Sequence, residues 1–259
     1  MVMTLSKILS QIKSGSESHH LTVPENWLQG RTCYGGLSSA MAWKAASILA
    51  DDLPPLQSAQ IAFSGPLSGD IEIRAHILRR GKNTASIRSD IYCGDDIGLA
   101  CTFIFMNRRE SHLDFADIAA PNFPDIPKDE DRRSGPPAFF TQNMEYGDKR
   151  LTLGQNIPRL SAWNRIIERD GLDPMADLIC NGDALPPSAM GLMSTAGMVS
   201  SMNWQFNLLT DNPQTNDGWW YLDSQTHYAG KGSSSQYMTM YNSEGEPMLT
   251  GMQSVAIFS

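Results

Sequence analysis

Cysteine is scarce and unpatterned in this chain of 259 residues: Cys33, Cys93, Cys101 and Cys180 stand apart, with no C-x-x-C spacing. That argues against a zinc ribbon and for free thiols in a reducing compartment, so a cytoplasmic protein is expected. The histidines His19, His20, His76, His112 and His227 lack ligand spacing, and neither a metal nor another cofactor is expected. His19-His20 reads as a solvated pair and His227 as structural. Lys and Arg number 20 against 28 Asp and Glu, a net charge of −8. A general nucleic-acid binder is thereby excluded, because a phosphate backbone demands a concentrated basic surplus. No run approaches the ~20 apolar residues of a membrane span. Leu5, Ile8, Leu9 and Ile12 have helical spacing, which marks a short amphipathic helix rather than the unbroken core of a signal peptide. Ser38 and Ser39 lie outside any G-x-S-x-G elbow, so a serine-hydrolase triad has no support.

What the chain does have is an internal echo. Ser39-Ala40-Met41 recurs as Ser188-Ala189-Met190, an offset of 149, and Gly81-Lys82 recurs at the same offset as Gly230-Lys231, as does Tyr92 at Tyr241. A repeat this long is domain-sized. In the first copy Tyr34-Gly35-Gly36 opens a helix-forming stretch, 37–49, that is apolar nearly all round and therefore buried. Strand-like runs follow at 56–63, 71–78, 84–92 and 99–106, separated by glycine-containing turns. The second copy restates this with a helix-prone stretch, 174–190, and runs at 198–209, 219–228, 234–241 and 248–258. Between them Pro121, Pro124, Pro127, Pro136 and Pro137 interrupt a charged segment that reads as a linker. The expected organisation is an N-terminal unit over 1–113, a linker over 114–150 and a C-terminal unit over 151–259. Residues 159–169 add a strand or edge. A buried helix followed by an antiparallel meander, twice, is an α+β fold with two tandem helix-wrapped sheets.

That arrangement is the double hotdog, and particular residues carry the likeness further. Trp27-Leu28-Gln29-Gly30-Arg31 followed by Tyr34-Gly35-Gly36, then Leu56-Gln57-Ser58, Phe63, Pro66, Leu78-Arg79 and Gly81, resembles the first half of the acyl-CoA thioesterase II and thioesterase-like family. Asn181-Gly182-Asp183, the strand 201–207, the turn at Gly230 and Met252-Gln253 continue the resemblance through the second half. The resemblance implies hydrolysis of an acyl-CoA by directly activated water, and association as a homodimer. It also implies a catalytic trio of Asp, Thr or Ser, and Gln. Asp183 and Gln253 match two of these. Anchoring the strand on Phe206-Asn207 puts the hydroxyl position at Val199, with Ser200 and Ser201 beside it. Ser201 shares the face of Val199 because strand side chains alternate.

Thioester hydrolysis needs a base, a second polar group for the water, and donors for the oxyanion. Asp183 suits the base if burial raises its pKa, and Gln253 with a serine hydroxyl suits the water. Backbone amides near Asp183 or at Gly35-Gly36 suit the oxyanion, with Tyr34 at the repeat position of Asp183. Lys82, with Arg79 and Arg80, is a candidate for CoA phosphates. Each has a plainer reading: Asp183 as a cap, Gln253 as a polar strand position, Gly35-Gly36 as a tight turn, Lys82 as a solvated hairpin residue. Trp204, Trp219, Trp220 and Tyr221 read as core or subunit interface, or as acyl-pocket lining. Two rival functions stand beside the thioesterase. One is an acyl-CoA or lipid-binding protein without turnover, suggested by Val199. The other is a hotdog hydratase or dehydratase, which calls for a histidine beside an Asp on the central helix.

Overall fold

The computed structural model describes residues 2–118, 120–147, 153–195 and 197–258. In chain order the elements are α1 (Leu5–Leu9), β1 (Ser18–Thr22), β2 (Leu28–Gln29), β3 (Thr32–Cys33), α2 (Gly35–Ser47), β4 (Leu56–Phe63), β5 (Asp70–Arg80), β6 (Thr84–Cys93) and β7 (Asp96–Met106). They continue with β8 (Met144–Tyr146), β9 (Arg159–Ile166), α3 (Pro174–Gly182), β10 (Met198–Leu208), β11 (Trp220–Gly230), β12 (Ser233–Tyr241) and β13 (Pro247–Phe258). β2 and β3 form a small separate ribbon, and the other eleven strands form one antiparallel sheet in the order β1-β5-β6-β7-β4-β10-β13-β12-β11-β9-β8. The sheet is two meanders fused where β10 pairs β4, Asn203 opposite Ala62 and Asn207 opposite Ser58. α2 packs on β5, β6 and β7, α3 on β9 and β11, and the two helices touch each other. This is the double hotdog. No helix among the described residues is long and apolar enough to cross a membrane.

α2 is helical because Leu37, Ala40, Met41, Ala42, Trp43, Ala45 and Ala46 are all buried. Its inward hydroxyls satisfy themselves on the preceding turn, Ser38 and Ser39 donating to the Gly35 carbonyl at 3.0 and 2.7 Å. α3 begins at Asp173, whose carboxylate accepts from the Met175 and Ala176 amides at 2.8 and 3.3 Å, with proline at the first turn. It stops at Gly182 instead of running to 190. A Cβ on Gly182 would lie 2.7 Å from the Trp204 ring, and Pro186-Pro187 then bars helix continuation. Ser188–Leu192 is a 3-10 turn. The Ser-Ala-Met echo therefore joins a buried helix to a turn and is not a structural equivalence. The hairpin echo is one, since Gly81-Lys82 and Gly230-Lys231 both turn the second strand of a meander into its third.

One further expectation changes. His19 is not solvated but 7% exposed, in β1 opposite Ile73, and burial lowers its pKa. The proline-rich stretch, of which 119 and 148–150 lie outside the described residues, is an ordered strap across both halves. Phe123 meets Tyr221 and Tyr241 edge-on at 5.2 and 5.1 Å, over a small aromatic cluster with Trp163 and Trp219, and Trp163 Nε1 donates to the Pro124 carbonyl at 2.9 Å. Trp204 and Trp220 belong instead to the main core. Farther along, Phe140 stacks on Tyr34 at 3.9 Å, and the amides of Asn143 and Asn26 pair, Nδ2 of Asn26 donating to Oδ1 of Asn143 at 2.8 Å. Phe123→Ala removes the anchor from a half-buried site and is expected to destabilise the protein by about 2 kcal/mol in urea unfolding. Unchanged stability would mean that the strap merely lies on the surface.

Candidate active site

Asp183 and Gln253 are 70 positions apart in sequence, and the fold joins them: Gln253 Nε2 donates to Asp183 Oδ1 at 2.8 Å. Asp183 is carried to the junction of the halves as the residue that ends α3. Trp204 fixes the approach, its ring wedged against Gly182 and flanking Gly251. Gln253 sits in β13 between two direct cross-strand neighbours, Trp204 on β10 and Gln236 on β12, and is 3% exposed. A buried amide needs partners on both its atoms, and the carbonyl finds one in Gln236, whose Nε2 donates to Gln253 Oε1 at 2.8 Å.

The other wall of the site comes from the first half. The amino terminus of α2 lies against Asp183, so that a Cβ on Gly35 would sit 2.4 Å from Asp183 Oδ2 and 2.9 Å from the Phe63 ring. Orphan amides at a helix start favour negative charge. Burial dominates nonetheless, pushing the Asp183 pKa from 3.8 to about 7, while the Gln253 hydrogen bond and the Gly36 backbone N–H pull it back. The surrounding titratable groups Tyr34, Tyr146 and Cys180 are themselves raised by burial and remain neutral near pH 7. The result is a carboxyl able to take up or release a proton at neutral pH, set beside a helix-start amide donor.

The remaining candidates fall in different places. Gly35 and Gly36 form part of the cluster. Tyr34 is fully buried, its hydroxyl donating to the Cys180 carbonyl at 2.6 Å, so it ties α2 to α3 behind the acid–amide pair. Ser201 lies on the inner face of β10 opposite Val255, beyond a bulge after Ser201 that separates it from Trp204. Among the described residues no hydrogen bond joins it to Asp183 or Gln253. Ser200 points outward, and Val199 faces Ile257. Lys82 is exposed in the β5–β6 turn, at the Met106 end of β7, whereas the site is at the Phe63–Leu99 end. The eight-residue length of β4 alone puts about 23 Å between those ends. A surface groove of about 540 Å³ near Met3, Gln11, Thr22 and Asn26 is lined by neither member of the acid–amide pair.

The sequence profile of the acyl-CoA thioesterase C-terminal domain matches residues 119–257, more than half of the chain, and that of the acyl-CoA thioesterase N-terminal domain matches residues 23–106. The chain belongs to the acyl-CoA thioesterase family. No curated protein matches it by sequence. This thioesterase-family chain shares its fold with a hot dog protein of unknown function from Alicyclobacillus acidocaldarius, at 17% identity and a TM-score of 0.83, covering 100% of this chain and 99% of that one. An acyl-CoA thioesterase II, TesB2, from Mycobacterium marinum superposes with a TM-score of 0.75 at 13% identity, covering 99% of both chains. The tesB protein of Mycobacterium avium subsp. paratuberculosis gives 0.77 at 17%, covering 99% and 100%. At these identities the likeness is one of fold.

Proposed function

We propose that this chain hydrolyses an acyl-CoA thioester with water activated at Asp183 and Gln253, without a covalent enzyme intermediate. The carrying observation is the 2.8 Å contact between Gln253 Nε2 and a carboxyl raised to about 7 at the start of α2. In this reading the ionised Asp183 accepts a proton as the water oxygen attacks the thioester carbon. The carbonyl oxygen gains negative charge toward the α2 amides, the C–S bond breaks, and the proton passes to the departing thiolate. A carboxylic acid and free CoA result. Glycine at 35 lets the Asp183 carboxyl close on the start of α2, and a backbone donor offered there to the oxyanion would contribute about 10² to 10³ in rate. Gln253 acts as a donor toward Asp183, its carbonyl being engaged by Gln236. Ser201, on the same sheet face, is the candidate hydroxyl for the far side of the water. A homodimer in the cytoplasm completes the reading.

Thiol release from a panel of acyl-CoAs tests it. The rate is expected to rise through about pH 7 as Asp183 loses its proton, in parallel with its raised pKa. A flat profile from pH 5.5 to 8.5 would remove Asp183 from the chemistry. One observation favours a second reading, binding without turnover: among the described residues no hydroxyl is hydrogen-bonded to the acid–amide pair. Retention of an acyl-CoA with no thiol released would establish that reading instead. A hydratase or dehydratase has less support, because neither α2 nor α3 contains a histidine.

A further inference from the structure

The acid–amide pair is the end of a longer buried chain of hydrogen bonds, and the chain has only one possible direction. At its far end the Ser188 backbone N–H donates to Gln236 Oε1 at 2.9 Å, the Ser188 hydroxyl donates to the same oxygen at 3.1 Å, and Thr226 Oγ1 lies 2.7 Å from that hydroxyl. Ser188, Thr226, Gln236 and Gln253 are each at most 7% exposed. A backbone N–H can only donate, so the Gln236 atom that meets it must be the oxygen. Its NH2 group then faces Gln253 and must meet an oxygen there, which leaves the Gln253 NH2 group facing Asp183. Were Gln253 reversed, its oxygen would meet a carboxylate oxygen, and two acceptors can share that contact only if Asp183 carries a proton.

We propose that Gln236, anchored by the Ser188 backbone amide, is a positioning residue that fixes which way round the Gln253 amide faces Asp183. Its bearing on hydrolysis rests on the function proposed above; the orientation itself does not. The sequence offers no sign of this role, because only the register of β12 on β13 brings Gln236 opposite Gln253. Ser188 reaches Gln236 because α3 ends early and the 3-10 turn returns over the sheet.

The groups facing Asp183 are Gln253, the Gly36 N–H, and the neutral Tyr34, Tyr146 and Cys180. Asp183 is raised to about 7 and Asp177, in α3, to about 6, so carbon-13 NMR of the labelled Asp side chains in the full chain follows both, and the Asp183 signal is told from that of Asp177 by its loss in Asp183→Asn. Gln236→Glu offers oxygens in both directions and turns Gln253 round. Gln236→Met is neutral and releases it. Both variants are expected to raise the Asp183 midpoint, Gln236→Glu by about one unit or more and Gln236→Met by about half a unit. Ser188→Ala keeps the backbone donor and is expected to shift it less than Gln236→Met. The acid limb of kcat/KM should move with the titration while KM holds. A rise in Gln236→Glu alone would be a field effect of the new charge and would overturn the proposal, as would no rise in either. If the native chain turns over no acyl-CoA, the function reading falls and the titration still decides the orientation.

Discussion

Asp183→Asn is expected to lower kcat for thioester hydrolysis by roughly 10² to 10⁴-fold, the ordinary contribution of a general base, and at the same time to make the protein more stable at pH 8. The two effects share one cause. Asp183 is held as an ionised group in a site whose burial opposes the charge, raising its pKa from 3.8 to about 7. Asp177 in α3 is raised likewise, to about 6, by burial, with the hydrogen bond it accepts from Trp220 Nε1 at 2.9 Å pulling it back. For an acid whose folded pKa exceeds its unfolded value, the folded state binds the extra proton. The stability it contributes is therefore present at acid pH and lost as pH rises from about 4 towards 7. Asparagine abolishes the Asp183 share. The full shift corresponds to about 4 kcal/mol at 1.36 kcal/mol per unit. Relaxation and an NH2 group opposed to the Gly36 N–H reduce the expected gain to about 1 to 2 kcal/mol. Calorimetry at pH 5 and pH 8 reads this directly: the variant should melt above the native chain at pH 8 and close to it at pH 5. Undiminished turnover in Asp183→Asn would end the case for this base, and equal melting at both pH values would mean that the carboxylate is well solvated.

The fold was largely legible and the site only partly so, for reasons that separate by range. Strand runs such as 56–63, 84–92 and 248–258 were readable because alternation on a half-buried sheet is local, and their observed counterparts begin and end within a residue or so. The α2 stretch was readable because a helix apolar on all sides has nowhere to go but the core. β1 was not, because a single inward apolar residue, Leu21, carries no period and His19 reads as polar wherever it lies. The end of α3 was misplaced because Gly182 breaks it for a tertiary reason, the Trp204 ring across the sheet. The packing of the strap was not legible, because its prolines signal irregular backbone while that packing depends on isolated aromatics, Phe123 and Phe140, without periodicity. Asp183 and Gln253 were reached through family resemblance, and no local pattern links positions so far apart. Gln236, Ser188 and Thr226 were missed altogether. Their roles exist only in the pairing register, where an inward Gln falls opposite another inward Gln.

Gly35 and Gly36 are adjacent, yet alanine is expected to do different damage at each. At Gly36 a Cβ would lie 2.3 Å from the Cys180 carbonyl oxygen and 2.6 Å from the Tyr34 ring. The carbonyl is backbone of α3 and the ring is clamped by Phe140, so neither can give way cheaply. The helices must separate, and Gly36→Ala should cost about 3 kcal/mol, the upper end of overpacking penalties. At Gly35 the first atom met is Asp183 Oδ2 at 2.4 Å, followed by the Phe63 ring at 2.9 Å. Both are ends of side chains and can turn aside. Gly35→Ala should therefore fold with a loss of about 1 kcal/mol, since overpacking relieved by side-chain rotation lies at the low end of that range. In doing so it displaces the carboxylate from Gln253 and fills the space over the helix-start amides. Misplacement of a reacting group by about 1 Å typically costs about 10² in rate, and this loss should fall on kcat. Urea unfolding and thiol-release kinetics on the two variants separate packing from chemistry. If Gly35→Ala is as active as the native chain, the thioester does not approach this helix start. If it loses activity while Gly36→Ala loses mainly stability, the absence of a side chain at 35 serves the reaction and the absence at 36 serves the joint between the two halves.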